Sequence, residues 1–254
     1  MKWLLTGCSG FIANNIVDYF SEIEIVGVDL LSNPQIKTII QDIAQPVKGD
    51  YDLIIHAASG YQDDLAMFNA NFLGTKRCIE TANRSGCPII YISSAEAYQP
   101  VRTYGIMKLA GEYLIKTYTK GYIVRPFHIY GPKMNLDDGR VQSQMLRSIR
   151  YNEVFKMRGD GKSIRSFTHV DDLCFALSII LKRGCPGMVY DVTNEFESNS
   201  IEDICRSLNI SYTLGVEAHP IKCSVGDSSP LRSLGWVPAI RTIPGFIETS
   251  KTYK

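Results

Sequence analysis

The chain predicts a doubly wound α/β fold: a parallel sheet with helices on both faces and a smaller C-terminal lobe. Three observations predict it. Short β-rich runs alternate with helix-period segments through the first half of the 254 residues. Those runs are almost continuously apolar, as in a parallel sheet covered on both sides. After Pro132 the regularity loosens, which places the lobe there. The length agrees, being generous for one domain and short for two of full size.

Residues 2–6 read as the first strand, and Ile12, Ile16, Val17 and Phe20 mark the apolar stripe of the helix after it. Residues 23–29, 36–41 and 52–57 are the next three strands. A long helix follows from near Asp64, with Leu65, Phe68, Phe72, Ile79 and Ala82 on a stripe expected to cover the sheet. Residues 88–93 form a fifth strand, 104–119 a helix and 121–125 a sixth strand. Beyond Pro132 come a helix near 142–151, short strands and two later helices. The predicted division is 1–132 with 170–195 returning to it, against a lobe of 133–169 and 196–254.

Twenty-seven Lys and Arg against 26 Asp and Glu leave a net charge of +1, without the basic excess of a nucleic-acid binder. Hydrophobic residues make up 45%, enough for a sizeable core, yet no run approaches the ~20 residues that span a bilayer. The glycine-rich start at Thr6-Gly7 comes too soon for a signal peptide. Seven scattered cysteines (8, 78, 87, 174, 185, 205, 223) read as reduced, mostly buried thiols. Four histidines (56, 128, 169, 219) lack metal-ligand spacing. A soluble cytoplasmic protein without a structural metal is expected.

Thr6-Gly7-Cys8-Ser9-Gly10-Phe11-Ile12-Ala13 joins the first strand to the first helix, the context of a dinucleotide-binding loop. Gly7 permits a tight turn, Gly10 a close backbone approach to a pyrophosphate, and Ala13 close helix packing. The helix N-terminus offers N–H groups and a positive dipole end. Asp29 ends the second strand, where a carboxylate binds ribose hydroxyls and repels a 2′-phosphate. NAD is therefore preferred over NADP. Asp42-Ile43, at the end of the third strand, suits the adenine amino group.

Tyr104 and Lys108 are four residues apart on a predicted helix and share a face. A lysine cation one turn away favours the phenolate of a tyrosine that otherwise titrates near ~10. Ser94, ending the fifth strand, suits a hydrogen bond to the reacting oxygen. An isolated pair of this kind also fits a helix with a packed tyrosine and a solvated lysine. Its place after a dinucleotide loop and a strand-end Ser93-Ser94 makes it a catalytic candidate.

With these segments in hand the sequence resembles the extended short-chain dehydrogenases/reductases, of the nucleotide-sugar epimerase/dehydratase type. The matching stretches begin with TGCSGFIA from Thr6, Asp29, HAAS from His56, NFLGT from Asn71 and SSAEAY from Ser93. They continue with YGIMK from Tyr104, RPFHIYGP from Arg125, RSFTHVDDL from Arg165 and LGWVP from Leu234. They cover essentially the whole chain, which implies a complete protein with a Rossmann-type domain. The resemblance implies a cofactor set of Gly7, Ser9, Gly10, Phe11, Ile12, Asp29, Asp42, Ile43, Ala57, Ala58 and Ser59. Asn71, Ser93, Tyr104, Lys108, Pro126 and Phe127 complete that set, with Asn71 also supporting the active site. Ser94, Tyr104 and Lys108 are the implied catalytic residues, and Ser94, Glu96, His128 and Arg165 the substrate contacts, Arg165 on the diphosphate. His169 is read as structural, at a strand–helix junction.

The chain departs from the family pattern in being compact. Only ten positions separate Ser94 from Tyr104; Gln99 replaces a frequent glycine, and His128 replaces a frequent asparagine. Family dehydratases carry an acid where this chain has Ala95. The reading is an NAD-dependent nucleotide-sugar epimerase. A nucleotide-sugar 4-ketoreductase/dehydrogenase using NAD(P)H is the alternative within the enzyme class. A non-catalytic NAD(P)-binding regulatory or scaffold protein is the alternative outside it. In the resembling family, the helices starting near Asp64 and Tyr104 pair two subunits, so a homodimer is expected.

Overall fold

The computed structural model describes residues 1–60, 63–216 and 221–253, so His219 lies outside the described residues. The first half runs β1 (Lys2–Thr6), α1 (Phe11–Tyr19), β2 (Glu24–Asp29), β3 (Lys37–Ile40) and β4 (Leu53–His56). Then come α2 (Asp64–Phe68), a π-helical turn (Asn69–Leu73), α3 (Gly74–Ser85), β5 (Ile89–Ile92), α4 (Ala95–Tyr98), α5 (Thr103–Lys116) and β6 (Gly121–Pro126). The second half holds β7 (Ile129–Tyr130), α6 (Val141–Tyr151), β8 (Phe155–Lys156), β9 (Ile164–Arg165), β10 (Thr168–His169), α7 (Val170–Arg183) and β11 (Val189–Val192). It ends with β12 (Asn199–Ser200), α8 (Ile201–Ser207), β13 (Tyr212–Thr213), β14 (Cys223–Ser224), α9 (Ser229–Arg232) and α10 (Thr242–Ser250). Among the described residues four helices thus follow α6 where two were expected. Among the described residues, no helix is long and apolar enough to cross a membrane.

The chain divides into two compact units, Met1–Arg125 with Ser178–Tyr190, and Pro126–Leu177 with Asp191–Lys254. The sheet unit stops at Arg125 rather than at 132, and the returning segment is Ser178–Tyr190 rather than 170–195. Helix α7 and strand β11 each begin in one unit and end in the other, so the boundaries cut through continuous elements.

The sheet has the order β11-β6-β5-β4-β1-β2-β3, and its six strands from β6 to β3 run parallel. The winding reverses at β1, which has β2 on one side and β4 on the other. The crevice beyond the carboxyl ends of two such strands is where doubly wound sheets bind ligands. Leu4, Val26, Val28, Ile54, Ile89 and Ile123 fill the core.

The expected apolar stripe from Asp64 covers the sheet only in its second half, where Ala82 lies in the core and Ile79 packs against it. Leu65 is 68% and Phe68 37% exposed, whereas Asn71, Gly74, Thr75, Cys78, Thr81 and Ala82 are buried. The π-helical turn inserts an extra residue, so the face before it does not continue into the face after it.

The second unit is assembled from short pairings, β10 with β7, β13 with β8, and β9 between β12 and β14. Its aromatic core stacks Tyr130 on Phe246, ring centroids 4.1 Å apart, with Phe167 edge-on. His169 sits at the β10–α7 junction, its Nδ1 accepting from Asp171 N at 3.2 Å and its Nε2 meeting Thr249 Oγ1 at 3.3 Å.

Candidate active site

The turn after β1 is shaped by Gly7. Its φ of +68° lies in the left-handed region, and a Cβ there would come within 2.6 Å of Ala58 Cα. The loops after β1 and β4 therefore touch backbone to backbone. Gly10 is different, since an added Cβ would meet only Gly7 O, at 3.2 Å. Helix α1 starts there without a side-chain cap and without an acid in its first turn. Its leading N–H groups and open glycine face fit a pyrophosphate. Phe11 and Ile12, both half-buried, begin this helix.

Asp29 does more than the sequence reading assigns to it. Its Oδ2 accepts from Ser9 N (2.9 Å) and Ser9 Oγ (2.6 Å), and its Oδ1 accepts from Leu30 N (2.7 Å). The ribose candidate thus anchors the glycine loop. Asp42 lies two residues past β3 and caps the following turn through Ala44 N at 2.9 Å. Ile43 is buried, packed where α3 comes close at Gly74.

Beneath these loops His56 is fully buried between two threonines, Nδ1 to Thr6 Oγ1 at 2.7 Å and Nε2 to Thr75 Oγ1 at 3.1 Å. Thr75 donates to Asn71 O, so its oxygen accepts from His56 Nε2–H; Nδ1 then accepts from Thr6, which itself accepts from Ala58 N–H. Burial, aided by the Lys108 cation, holds His56 neutral with its pKa lowered to about 3. The chain of bonds fixes Ala58, while Ser59 Oγ donates to Asn71 Oδ1 at 3.2 Å. Asn71 is wholly buried, and its Nδ2 donates to Met67 O at 3.0 Å. Ala57 follows β4 directly and is half-buried.

Ser94 lies two residues past β5, and Lys108 on α5 reaches the last residue of that strand. Ser94 caps α4, its Oγ accepting Glu96 N–H at 3.1 Å and keeping its own proton to donate. Lys108, 1% exposed, donates from Nζ to Ile92 O at 2.9 Å and lies 5.9 Å from the Tyr104 ring. Burial lowers its ammonium pKa to about 7, and Glu112 pulls the other way. Ser93 points its hydroxyl at the Glu112 carboxylate rather than toward a ligand. Gln99 follows α4 with φ −133°, a backbone that needs no glycine, so this departure is accommodated locally.

In the second unit Arg165, 5% exposed, donates to the Ile164 and Ile221 carbonyls at 2.8 and 2.9 Å. Strand pairing sets Arg165 opposite Ser224, and Ser224 Oγ meets His128 Nε2 at 3.1 Å. His128 has a left-handed φ of +43°, a conformation that asparagine and histidine tolerate better than most residues. A histidine is thus accommodated by this backbone. Phe127 is 0% exposed, which gives its side chain to the core and leaves only its backbone for any ligand; Pro126 beside it is half-buried.

Sequence reasoning missed Glu112, Arg125, Thr6, Thr75 and Ser224. Of these, only Glu112 left a local signal, one turn beyond Lys108 on the same face.

A sequence model described as the NAD dependent epimerase/dehydratase family matches residues 3–193. UDP-glucuronic acid decarboxylase 2 of Arabidopsis thaliana is 26% identical over 94% of this chain, which spans only 65% of that protein. The dTDP-D-glucose 4,6-dehydratase of Mus musculus is 24% identical over 99% of the chain and 88% of its own length. Among solved structures, UDP-glucuronic acid 4-epimerase from Bacillus cereus, in complex with UDP-glucuronic acid and NAD, superposes with a TM-score of 0.85. It is 22% identical, covering 99% of this chain and 98% of that one.

Proposed function

The chain belongs to the NAD-dependent epimerase/dehydratase family, and from that premise we propose that it epimerises a nucleotide-diphosphate sugar. One observation carries the choice of reaction. Lys108 bonds Ile92 O at the end of β5 and lies 5.9 Å from the Tyr104 ring, while the position of the dehydratase acid holds Ala95. Inverting a carbinol needs one group to take and return a proton; eliminating water needs a further acid.

NAD, when bound at the β1–α1 loop, supplies the hydride chemistry. Gly7, Gly10 and the first turn of α1 hold its pyrophosphate, and Asp29 its ribose, with a charge that disfavours a 2′-phosphate. Tyr104 removes the proton of the sugar hydroxyl, Lys108 favours the phenolate, and Ser94 donates to the reacting oxygen. Arg165 and His128 bind the nucleotide-diphosphate end, so that the sugar is free to turn.

Incubation with a panel of nucleotide-sugars, read by mass and NMR, tests the reading. An inverted hydroxyl at unchanged mass is expected. A product lighter by water or carbon dioxide refutes epimerisation in favour of dehydration or decarboxylation. Net oxidation of added NADPH points to the ketoreductase instead.

A homodimer belongs to the same proposal. Leu65, Phe68, Ile106 and Tyr113 are exposed on the helices expected to pair two subunits, and Phe68 stacks on Phe72 at 5.3 Å. Light scattering should give twice 28.4 kDa, and Tyr113→Asp should return the mass to 28.4 kDa. A parent protein already at the lower mass refutes the dimer.

A further inference from the structure

Helix α5 turns two charged side chains inward one turn apart, Lys108 and Glu112, each 1% exposed. Glu112 is gripped from two strands. Its Oε1 accepts from Ser93 Oγ (2.5 Å) and Arg125 Nε (2.7 Å), and its Oε2 from Arg125 Nη2 (2.6 Å). Arg125 also lies over the Tyr98 ring of α4, at 5.9 Å. The ends of β5 and β6 and helices α4 and α5 therefore meet at one carboxylate. Lys108 and Arg125 both carry positive charge on this side of the helix, and a buried cation is costly unless an anion lies near it. Tyr104, its ring 5.9 Å from Lys108 Nζ, can supply a negative charge beside Lys108 as a phenolate.

Several groups face Lys108. Tyr91 on β5 lies 5.0 Å away, its phenol kept neutral by burial. Neutral His56 approaches from β4, Tyr104 and Glu112 lie on α5 itself, and Arg125 on β6 acts through Glu112. Among these groups Glu112 is the standing anion. It is four residues from Lys108, about 6 Å along the helix, and eight from Tyr104, about 12 Å.

We propose that Glu112 is a positioning residue: held by Ser93 and Arg125, it keeps Lys108 cationic, and through Lys108 it lets Tyr104 ionise. This rests on Tyr104 being the base. The alternative, direct repulsion between two anions, predicts the opposite sign, because removing Glu112 would then ease ionisation of Tyr104.

Ultraviolet titration of the NAD-loaded protein decides between them without any sugar substrate. Subtracting the titration of Tyr104→Phe isolates one phenol among 14 tyrosines. Glu112→Gln should raise the pH at which Tyr104 ionises by about one unit or more. In a Lys108→Met background the same substitution should move it little, and Glu112→Asp should restore most of the shift. The pair Glu112→Gln with Arg125→Gln also removes the arginine that Glu112→Gln alone would leave without its carboxylate, guards against misfolding of the single variant, and should shift Tyr104 in the same direction. A Tyr104 that ionises early and is indifferent to Glu112, or that ionises still earlier without it, overturns this proposal alone. A Tyr104 that titrates with the ordinary tyrosines in the parent protein overturns the base assignment, and this proposal with it.

Discussion

Helices α1 and α5 serve the same site on opposite plans. Helix α1 buries Ala13, Ile16 and Val17 against the sheet, as its sequence pattern requires. It offers the site backbone N–H groups, so no side chain has to leave the ordinary amphipathic arrangement. Helix α5 buries Gly105, Lys108, Gly111, Glu112 and Ile115, and leaves Ile106 52% and Tyr113 64% exposed. It offers side chains, so its charges must face inward. The small Gly111 lets it come close; a Cβ there would lie 2.4 Å from Tyr91 Oη. A helix that functions through its backbone keeps a normal hydrophobic face. One that functions through its side chains gives that face up, and its apolar residues are left for another surface.

Substitutions on the two helices separate these plans. The largest effect is expected from Tyr104→Phe, which keeps the packing and removes the proton acceptor. Turnover on an identified substrate should fall by ~10²–10⁴-fold while NAD stays bound. Retention of most activity would break the contrast at its root.

At the α1 loop the effects should fall on backbone instead. Gly7→Ala combines a left-handed φ with a backbone clash and should cost several kcal/mol, of the order ~2–4, in denaturant unfolding. Gly10→Ala meets only Gly7 O, so it should leave stability nearly unchanged and weaken NAD binding in a cofactor titration. If both substitutions act alike, Gly10 has no ligand-facing role.

Lys108→Met sharpens the cost of the inverted helix. Burial holds the ammonium at about 7, far below its ordinary value, so the ligand-free fold is penalised for carrying it. The penalty is complete below pH 7 and relieved as pH rises toward the unfolded value. The Met variant should therefore lose activity yet melt several degrees higher at pH 7, with the difference shrinking toward pH 10 in calorimetry. A lower melting temperature would mean that Lys108 stabilises the fold.

The effect confined to acid pH belongs to His56, on the side of the site that α1 serves. Its pKa of about 3 in the fold is below the unfolded value, so its contribution is present above about pH 6.5 and is lost as acid drives toward pH 3. Stability should decline over that window by at most ~1.4 kcal/mol per pH unit from this group. His56→Asn should flatten the slope, whatever it does to the absolute stability.

Much of the sheet unit is legible in the chain. Strands β1, β2, β4 and β5 stand out because buried parallel strands are apolar throughout. The glycine loop, Asp29 and the Tyr104–Lys108 spacing stand out because each expresses a local rule of backbone or helix geometry. The stripe from Asp64 misleads because one π-helical turn, invisible in hydropathy, breaks the face in two. The lobe's short strands pair segments far apart, as Arg165 with Ser224 does, and nothing near either residue announces the partner.

What the sequence determined by itself is everything set by neighbours along the chain: the order of elements, the phosphate-binding turn, and two side chains on one helical face. The tertiary structure alone decided which way α5 turns its charges, that Arg125 meets Glu112, and that Thr6, His56 and Thr75 form one wire. The reason is physical. A buried charge or polar group is stable only beside its partner, and here the partners come from different strands and helices that only the folded sheet brings together.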